Sequence, residues 1–410
     1  MTCSGDMAEE SGHWGINIGI DAVRFGAGTE MRALVLGAGM MGRAIAYDLA
    51  RARGVDEVVL GDISLKAAKE AARWAGPGKI RPVRVDVADG KAVRRLMSGG
   101  FDVAAGAVSY RFNVALAREA IRAGVNFCDL GGNNTVVEKE LALDAGAIAA
   151  GVTVVPDCGL APGLVQPVAA RALELLGGTA DELRIRVGGL PLNPKPPLNY
   201  KLVFSPEGLV NEYWEPALAL RNGKPVELES LTELEELEFP PPFGNLEAFV
   251  TSGGASTLPR TMLGKVRELD YKTIRYPGHC AMMKAMLWLG LGDTRPVKVG
   301  AARLAPRELL LKLLRKRLTD DDRDAVLMRV TARKGDRSVR FQMVDEGEPE
   351  RGITAMMRTT AFPAAAVAWM LGSGRIARKG ALPQESCLPA KEFLGEVAAR
   401  CIRIEKRTEG

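Results

Sequence analysis

Histidine is nearly missing from this chain: two residues among 410, at positions 13 and 279. The six cysteines, at 3, 128, 158, 280, 387 and 401, include no C-x-x-C pair. These shortages exclude a structural zinc site, and no metal is expected. Unpaired thiols scattered through a long chain fit a reducing cytoplasm. Net charge is scarce too: 55 basic against 50 acidic residues leave +5, too even a balance to call for nucleic acid. The densest basic run, Lys312 to Arg317, falls on a predicted helix and reads as its solvated face. No apolar run is long enough to span a bilayer, so no membrane partner is expected. The first thirty residues carry Glu9, Glu10 and Asp21 and lack a basic start before an apolar stretch, unlike a signal peptide. Met31 directly precedes the first predicted strand, so residues 1–30 read as an extension outside the fold. What remains is the composition of a soluble globular protein, 47% hydrophobic and 26% charged, long enough for two domains.

The most informative stretch is 31–62, MRALVLGAGMMGRAIAYDLARARGVDEVVLGD. A short run of strand formers, Arg32 to Leu36, leads into Gly37, Gly39 and Gly42 with G-x-G-x-x-G spacing. An amphipathic helix follows, then a second strand that ends at Asp62, about twenty residues beyond the last glycine. This is the dinucleotide-binding fingerprint in its full context. Gly37 permits the tight turn, Gly39 lets the backbone approach a pyrophosphate, and Gly42 lets helix and strand pack closely. Gly37, Gly39, Met40, Met41 and Gly42 are therefore expected at the phosphates, where a helix N-terminus offers free N–H groups. Asp62 is expected on the adenosine ribose; it would repel a 2′-phosphate, and Ile63-Ser64 supplies no arginine to offset it, so NAD is the expected cofactor.

Strand and helix signals alternate through the first half. Further strands are predicted over Ile80–Val85, Phe101–Val108, Val125–Cys128 and Gly151–Val155, with helices between them. Asn113 is read as a helix cap, and Thr135 with Glu138 as a capping box. Crossovers of this kind imply a doubly wound parallel sheet, with ligands beyond the carboxyl ends of its strands. Asp86, Ser109 and Asp129 stand at such ends and are cofactor candidates. After Pro162 the pattern turns to hairpins and mixed elements, including an Asn222-Gly223 turn, which imply an α+β domain. The small-residue apolar run Thr360 to Leu371 reads as a helix covering the first sheet. The expected organisation is an extension over 1–30, a dinucleotide-binding domain over 31–160, an α+β domain over 161–359 and a return to the first domain over 360–410.

Four segments, GLAPG at 159–163, FSPEGLVNEY at 204–213, TSGGASTL at 251–258 and YKTIRYPGH at 271–279, together resemble the saccharopine dehydrogenase family. The resemblance runs from Met31 to about Lys406. It implies a Rossmann domain interrupted by an α+β substrate domain with a mixed sheet, chemistry at a nitrogen-bearing carbon with NAD or NADP, and a homo-oligomer, with a dimer favoured. Saccharopine-forming members commonly read GLDPG, whereas Ala161 stands here in place of the acid, as it does in lysine 6-dehydrogenase-like members. The expected reaction is accordingly NAD-dependent oxidative deamination of the ε-amine of L-lysine to 2-aminoadipate 6-semialdehyde, with release of ammonia. The alternatives are a saccharopine-type reductase or dehydrogenase and a non-catalytic dinucleotide-binding sensor.

Such a reaction needs a base and an environment that accepts an iminium, and a carboxylate near neutrality suits both. Asp157, at a strand end, is one candidate; its alternative role is ordering the GLAPG turn. His279, at a helix start, is the second, and its alternative is a helix cap. Arg275 is the expected partner of a substrate carboxylate. Tyr110 and Asn113 follow the fourth strand, Tyr200 closes the cleft, and Thr251 and Ser252 offer hydroxyls and N–H groups. Glu207 and Glu212 are weighed for an α-amino group against a solvated helix face.

Overall fold

The computed structural model describes residues 31–76, 78–319 and 323–410. The predicted extension over 1–30 lies outside them. Six short apolar runs become strands: β1 (Met31–Leu36), β2 (Val55–Asp62), β3 (Ile80–Arg84), β4 (Val103–Gly106), β5 (Asn126–Asp129) and β6 (Thr153–Val155). They pair in parallel in the order β3-β2-β1-β4-β5-β6. β1, β4 and β6 read as almost unbroken apolar runs because both faces of the sheet are covered. The order reverses between β1 and β4, and that switch point is where a Rossmann sheet holds its ligand.

The second half builds a nine-stranded mixed sheet. Its strands are β7 (Ala180–Pro191), β8 (Ala217–Arg221), β9 (Lys224–Leu228), β10 (Glu235–Phe239), β11 (Gly244–Val250) and β12 (Val266–Arg275), joined later by β15 (Asp324–Lys334), β16 (Arg337–Asp345) and β18 (Glu405–Glu409). A separate ribbon is formed by β13 (Val297–Val299) and β14 (Ala302–Leu304). β12 runs parallel to β7, and the other pairings in the large sheet are antiparallel. Asn222 and Gly223 make the predicted turn between β8 and β9 with φ of 52° and 73°, the left-handed pair that a two-residue hairpin requires.

The late chain serves both sheets. Helix Ala355–Gly372 starts five residues before the predicted run, because Thr354 accepts the Met357 N–H and caps it. It is buried along nearly its whole length and packs on β1, β4, β5 and the helix Met40–Leu49. Its small side chains let it lie close to the sheet. β17 (Gly380–Ala381) then pairs with β6, but β18 (Glu405–Glu409) pairs with β16. The expected return of 360–410 to the first sheet is thus corrected at its end, where the last strand joins the second sheet.

Two cap assignments are also corrected. Phe112, not Asn113, precedes the helix Asn113–Ala123, and the Asn113 side chain donates to Asp129 instead. The next helix is capped by Asn133, which accepts the Val136 N–H; Glu138 pairs with Arg260 across to the other half of the molecule.

Candidate active site

The glycine loop closes β1 onto its helix by contact. A Cβ on Gly42 would lie 1.8 Å from the Gly37 carbonyl oxygen, whereas one on Gly39 would meet nothing within 4 Å. Gly42 is therefore fixed by packing inside the fold, and Gly39 leaves clear space in front of the loop. The helix Met40–Leu49 has no acidic residue in its first turn and no side-chain cap, so its leading N–H groups remain for an anion. Met40 is exposed and Met41 half-buried beside them. Asp62, at the end of β2, accepts the Ala38 and Ser64 N–H groups, each at 2.8 Å, through different oxygens. It is thereby held at the loop with lone pairs left for hydroxyls. Asp86 and Ser109 stand exposed beyond β3 and β4. These residues fit a bound dinucleotide.

At the next strand ends, acids gather. Asp157, just past β6, is 4% exposed and takes a left-handed backbone, φ 63°. Gly131 makes room for it: a Cβ there would sit 1.7 Å from Asp157 Oδ1. Ser256 donates to Asp157 Oδ2, and Oδ1 is buried with no hydrogen-bond partner. Burial, opposed by the Ser256 bond and reinforced by the nearby Asp129, pushes the Asp157 carboxyl up to about 7. Tyr110, half in solvent, packs over Gly132 beside it. Asp129 was expected at the cofactor. Instead it is 2% exposed and accepts Asn113 Nδ2 and the Gly131 N–H, both at 2.7 Å. Asn113, 1% exposed, is spent on that bond rather than facing substrate.

The second sheet contributes a buried cation. Arg275, at the end of β12, is 2% exposed. Its Nε donates to Tyr213 Oη at 2.9 Å and its Nη1 to the Ile274 carbonyl at 2.8 Å, and its guanidinium lies 4.6 Å from the Tyr200 ring centre. Among the described residues no carboxylate lies within 4 Å of it. Burial opposes its charge, and Tyr213, Tyr200 and Glu212 more than offset that. The Glu212 carboxylate, half-buried on the helix Pro206–Trp214, has no hydrogen bond or ion pair among the described residues. Burial, opposed by Arg275, pushes it up to about 7. Glu207 instead pairs with Arg315 at the surface. Tyr200 is buried, with burial pushing its hydroxyl up to about 12.

His279 is corrected as a base. Its Nδ1 lies 2.9 Å from the Leu198 carbonyl, which requires the proton there, and its Nε2 accepts from Tyr213 Oη at 3.0 Å. Full burial and the Arg275 charge hold it down to about 3, so the ring stays neutral. It orients Tyr213, which in turn receives Arg275. Thr251 and Ser252 are also corrected: Thr251 Oγ1 is 2.7 Å from Thr273 Oγ1, and the Ser252 N–H donates to the Glu212 carbonyl. The TSGGASTL segment works as a seam. Besides Ser256 on Asp157, Thr257 and Thr261 both donate to Glu385 at 2.7 Å, tying the second sheet to the first. Sequence reasoning missed Ser256, Glu140 and Glu385, since a serine in a glycine-rich loop and glutamates on helices carry no local signal of what they face.

Among the described residues no His, Cys, Asp and Glu group is arranged to hold a metal, and no helix is long and apolar enough to cross a membrane. Residues 33–155 match the family model described as the saccharopine dehydrogenase NADP binding domain, and residues 159–402 match the saccharopine dehydrogenase C-terminal domain. Curated relatives include mitochondrial alpha-aminoadipic semialdehyde synthase of Mus musculus, 24% identical over 272 residues, 64% of this chain and 28% of that protein. Saccharopine dehydrogenase (NADP(+), L-glutamate-forming) of Saccharomyces cerevisiae is 24% identical over 277 residues, 63% of this chain and 58% of that protein. The chain therefore spans under two thirds of either. Among solved structures, apo saccharopine dehydrogenase (L-Glu forming) from Saccharomyces cerevisiae superposes with TM-score 0.75 at 18% identity, over 93% of this chain and 100% of that one. Homospermidine synthase from Legionella pneumophila, in complex with NAD, gives 0.62 at 12% identity, over 92% and 91%. At such identities the likeness speaks for the fold.

Proposed function

Because the chain belongs to the saccharopine dehydrogenase family, we propose that it is an NAD-dependent dehydrogenase that oxidises the ε-amine of L-lysine to an iminium, which water hydrolyses to 2-aminoadipate 6-semialdehyde and ammonia, with NADH as the other product. The observation that carries this reading is the buried Arg275 guanidinium and the half-buried Glu212 carboxylate, opposite charges that act on each other without an ion pair to each other or to any other described group. A charge buried without a partner is costly. One cation and one anion match the α-carboxylate and α-amino group of a free amino acid. Lys272 and Arg186 point to the opposite face of the sheet, where Glu235 and Asp270 engage them, so neither is a second cation for the extra carboxylates of saccharopine.

In this reading Gly39, the N-terminus of helix Met40–Leu49 and Asp62 hold the dinucleotide, whose nicotinamide accepts the hydride. Ser109 and Tyr110 flank its reactive end. Arg275 and Glu212 fix the α-carbon end of lysine, and the reacting amine extends toward Asp157. The ε-ammonium of free lysine has a reference pKa of about 10.4, and an ammonium has no lone pair to expel a hydride. Asp157 Oδ1 takes that proton, after which Ser256 remains on Oδ2. Because the acceptor must be ionised and the amine neutral, activity rises from neutral into alkaline pH.

A second reading, a saccharopine-type dehydrogenase, draws on the likeness to the yeast saccharopine dehydrogenase. A panel with NAD tests both: L-lysine, saccharopine, ornithine, alanine and glutamate at several pH values. NADH formation with lysine, and a product captured by an aldehyde-trapping amine, is the expected result. Turnover of saccharopine alone supports the second reading, and no turnover of any amine supports a dinucleotide sensor.

A further inference from the structure

Behind Asp157 lies an acid pair that the proposed reaction does not use. Glu140, on the helix Asn134–Leu141, is fully buried. Neither of its oxygens meets an N–H or O–H donor, and the same holds for Asp129 Oδ2. The two carboxyl groups act on each other across the buried space between them. A single proton placed between them would satisfy Asp129 Oδ2 and one of the Glu140 oxygens. Asp129 has two N–H donors at 2.7 Å on its other oxygen, and Glu140 has none, so the charge belongs on Asp129 and the proton on Glu140. Burial and the Asp129 charge both push Glu140 far above the carboxylate range.

This pair reaches Asp157 twice. The backbone N–H of Asp157, a residue in the left-handed region, acts on the Asp129 carboxylate. The Asp129 charge also acts on the Asp157 carboxyl through space. We propose that Asp129 and Glu140 form a one-proton unit that positions Asp157 and tunes its uptake and release of a proton. The inference rests on the reading of Asp157 as proton acceptor. Neither residue touches substrate, so both are positioning residues. The other groups facing the cluster are Glu385 from the helix Gln384–Cys387, Ser256 from the seam, the Gly132 N–H and the Cys158 thiol.

Infrared spectroscopy of the full chain across pH tests this without turnover, since a protonated carboxyl has a C=O stretch apart from that of carboxylates. The expected result is one such band that persists through neutral pH and vanishes in Glu140→Gln. A second band, lost in Asp157→Asn, should titrate near neutrality and move down by about one pH unit in Asp129→Asn, where the neighbouring charge is gone. Glu140→Gln, whose amide still donates to Asp129, should leave that second titration in place. Glu140→Leu, which strips Asp129 of its donor, should shift it as Asp129→Asn does. The acid limb of kcat/KM should follow the same order. A persistent band that survives Glu140→Gln, or an Asp157 titration identical in all three variants, overturns the proposal. Absence of amine oxidation with the infrared pattern intact would count against the reaction and leave the pair standing.

Discussion

Replacing Arg275 by methionine separates a binding role from a structural one, because the two predict opposite effects on stability. Arg275 is 2% exposed and, among the described residues, has no carboxylate within 4 Å. Replacing a buried ion pair by apolar side chains is neutral or stabilising by about 1–4 kcal/mol, and relief of this one buried charge is of that order. Against that stand the lost bonds to Tyr213 Oη and the Ile274 carbonyl, about 1.5 kcal/mol each for a charged donor, and the contact with the Tyr200 ring, up to about 2 kcal/mol when desolvated. The balance is at most a few kcal/mol, so in a chain of this length the melting temperature should hold within a few degrees. Substrate binding should not hold. Two charge-assisted bonds to a carboxylate contribute about 3 kcal/mol at the low end, which is roughly a hundredfold in kcat/KM for lysine. The assays are thermal melting, titration of dinucleotide binding by fluorescence, and initial rates against lysine concentration. Unchanged melting and dinucleotide affinity with a hundredfold loss in kcat/KM supports the reasoning. A large drop in melting temperature with unaltered substrate dependence would refute it and make Arg275 a structural residue.

Other substitutions test the neighbouring assignments. Gly39→Ala should fold with an unchanged melting temperature and bind dinucleotide far more weakly, whereas Gly42→Ala should lower the melting temperature, because its Cβ meets the Gly37 carbonyl; equal effects of the two on melting would contradict this division. Asp62→Ala should weaken NAD binding by roughly ten- to a hundredfold, as two hydroxyl bonds to a charged group are lost, and narrow the preference over NADP; tighter NADP binding by the parent protein would remove Asp62 from the ribose. His279→Gln should leave the shape of the pH profile intact, since the ring is already neutral at every working pH; disappearance of an ionisation near neutrality would restore histidine as a base.

The first sheet was legible because its signals are local. A glycine triplet, a strand on each side and an acid at the second strand's end all fall within 31–62, and parallel strands buried on both faces appear as plain apolar runs. The pieces that escaped are those whose partner is distant in sequence. β17 has two residues and exists only because β6 offers an edge; β18, with the sequence EKRTE, has no apolar face and is a strand only by pairing with β16. In the site, Arg275 could be singled out by residue type and strand alternation. Whether His279 was charged depended on the Leu198 carbonyl and on Arg275, which the sequence does not place beside it. The Asn113 side chain could equally cap its own helix or reach Asp129, and only the tertiary structure decided.

The interleaved strands bear on how the chain is assembled during synthesis. The first sheet looks complete once β6 has emerged, yet its outer edge waits for Gly380–Ala381, and the helix Ala355–Gly372 that covers β1, β4 and β5 is made equally late. Until then an apolar face and a free strand edge stay open to water and to other chains. β16 in turn keeps an unpaired edge until Glu405–Glu409 reaches it. Both sheets are therefore finished only after the strands they extend have been made, by one later segment of the chain. A nascent chain stalled short of it would carry a formed glycine loop on a half-covered sheet, which is the kind of species that chaperones hold and proteases remove.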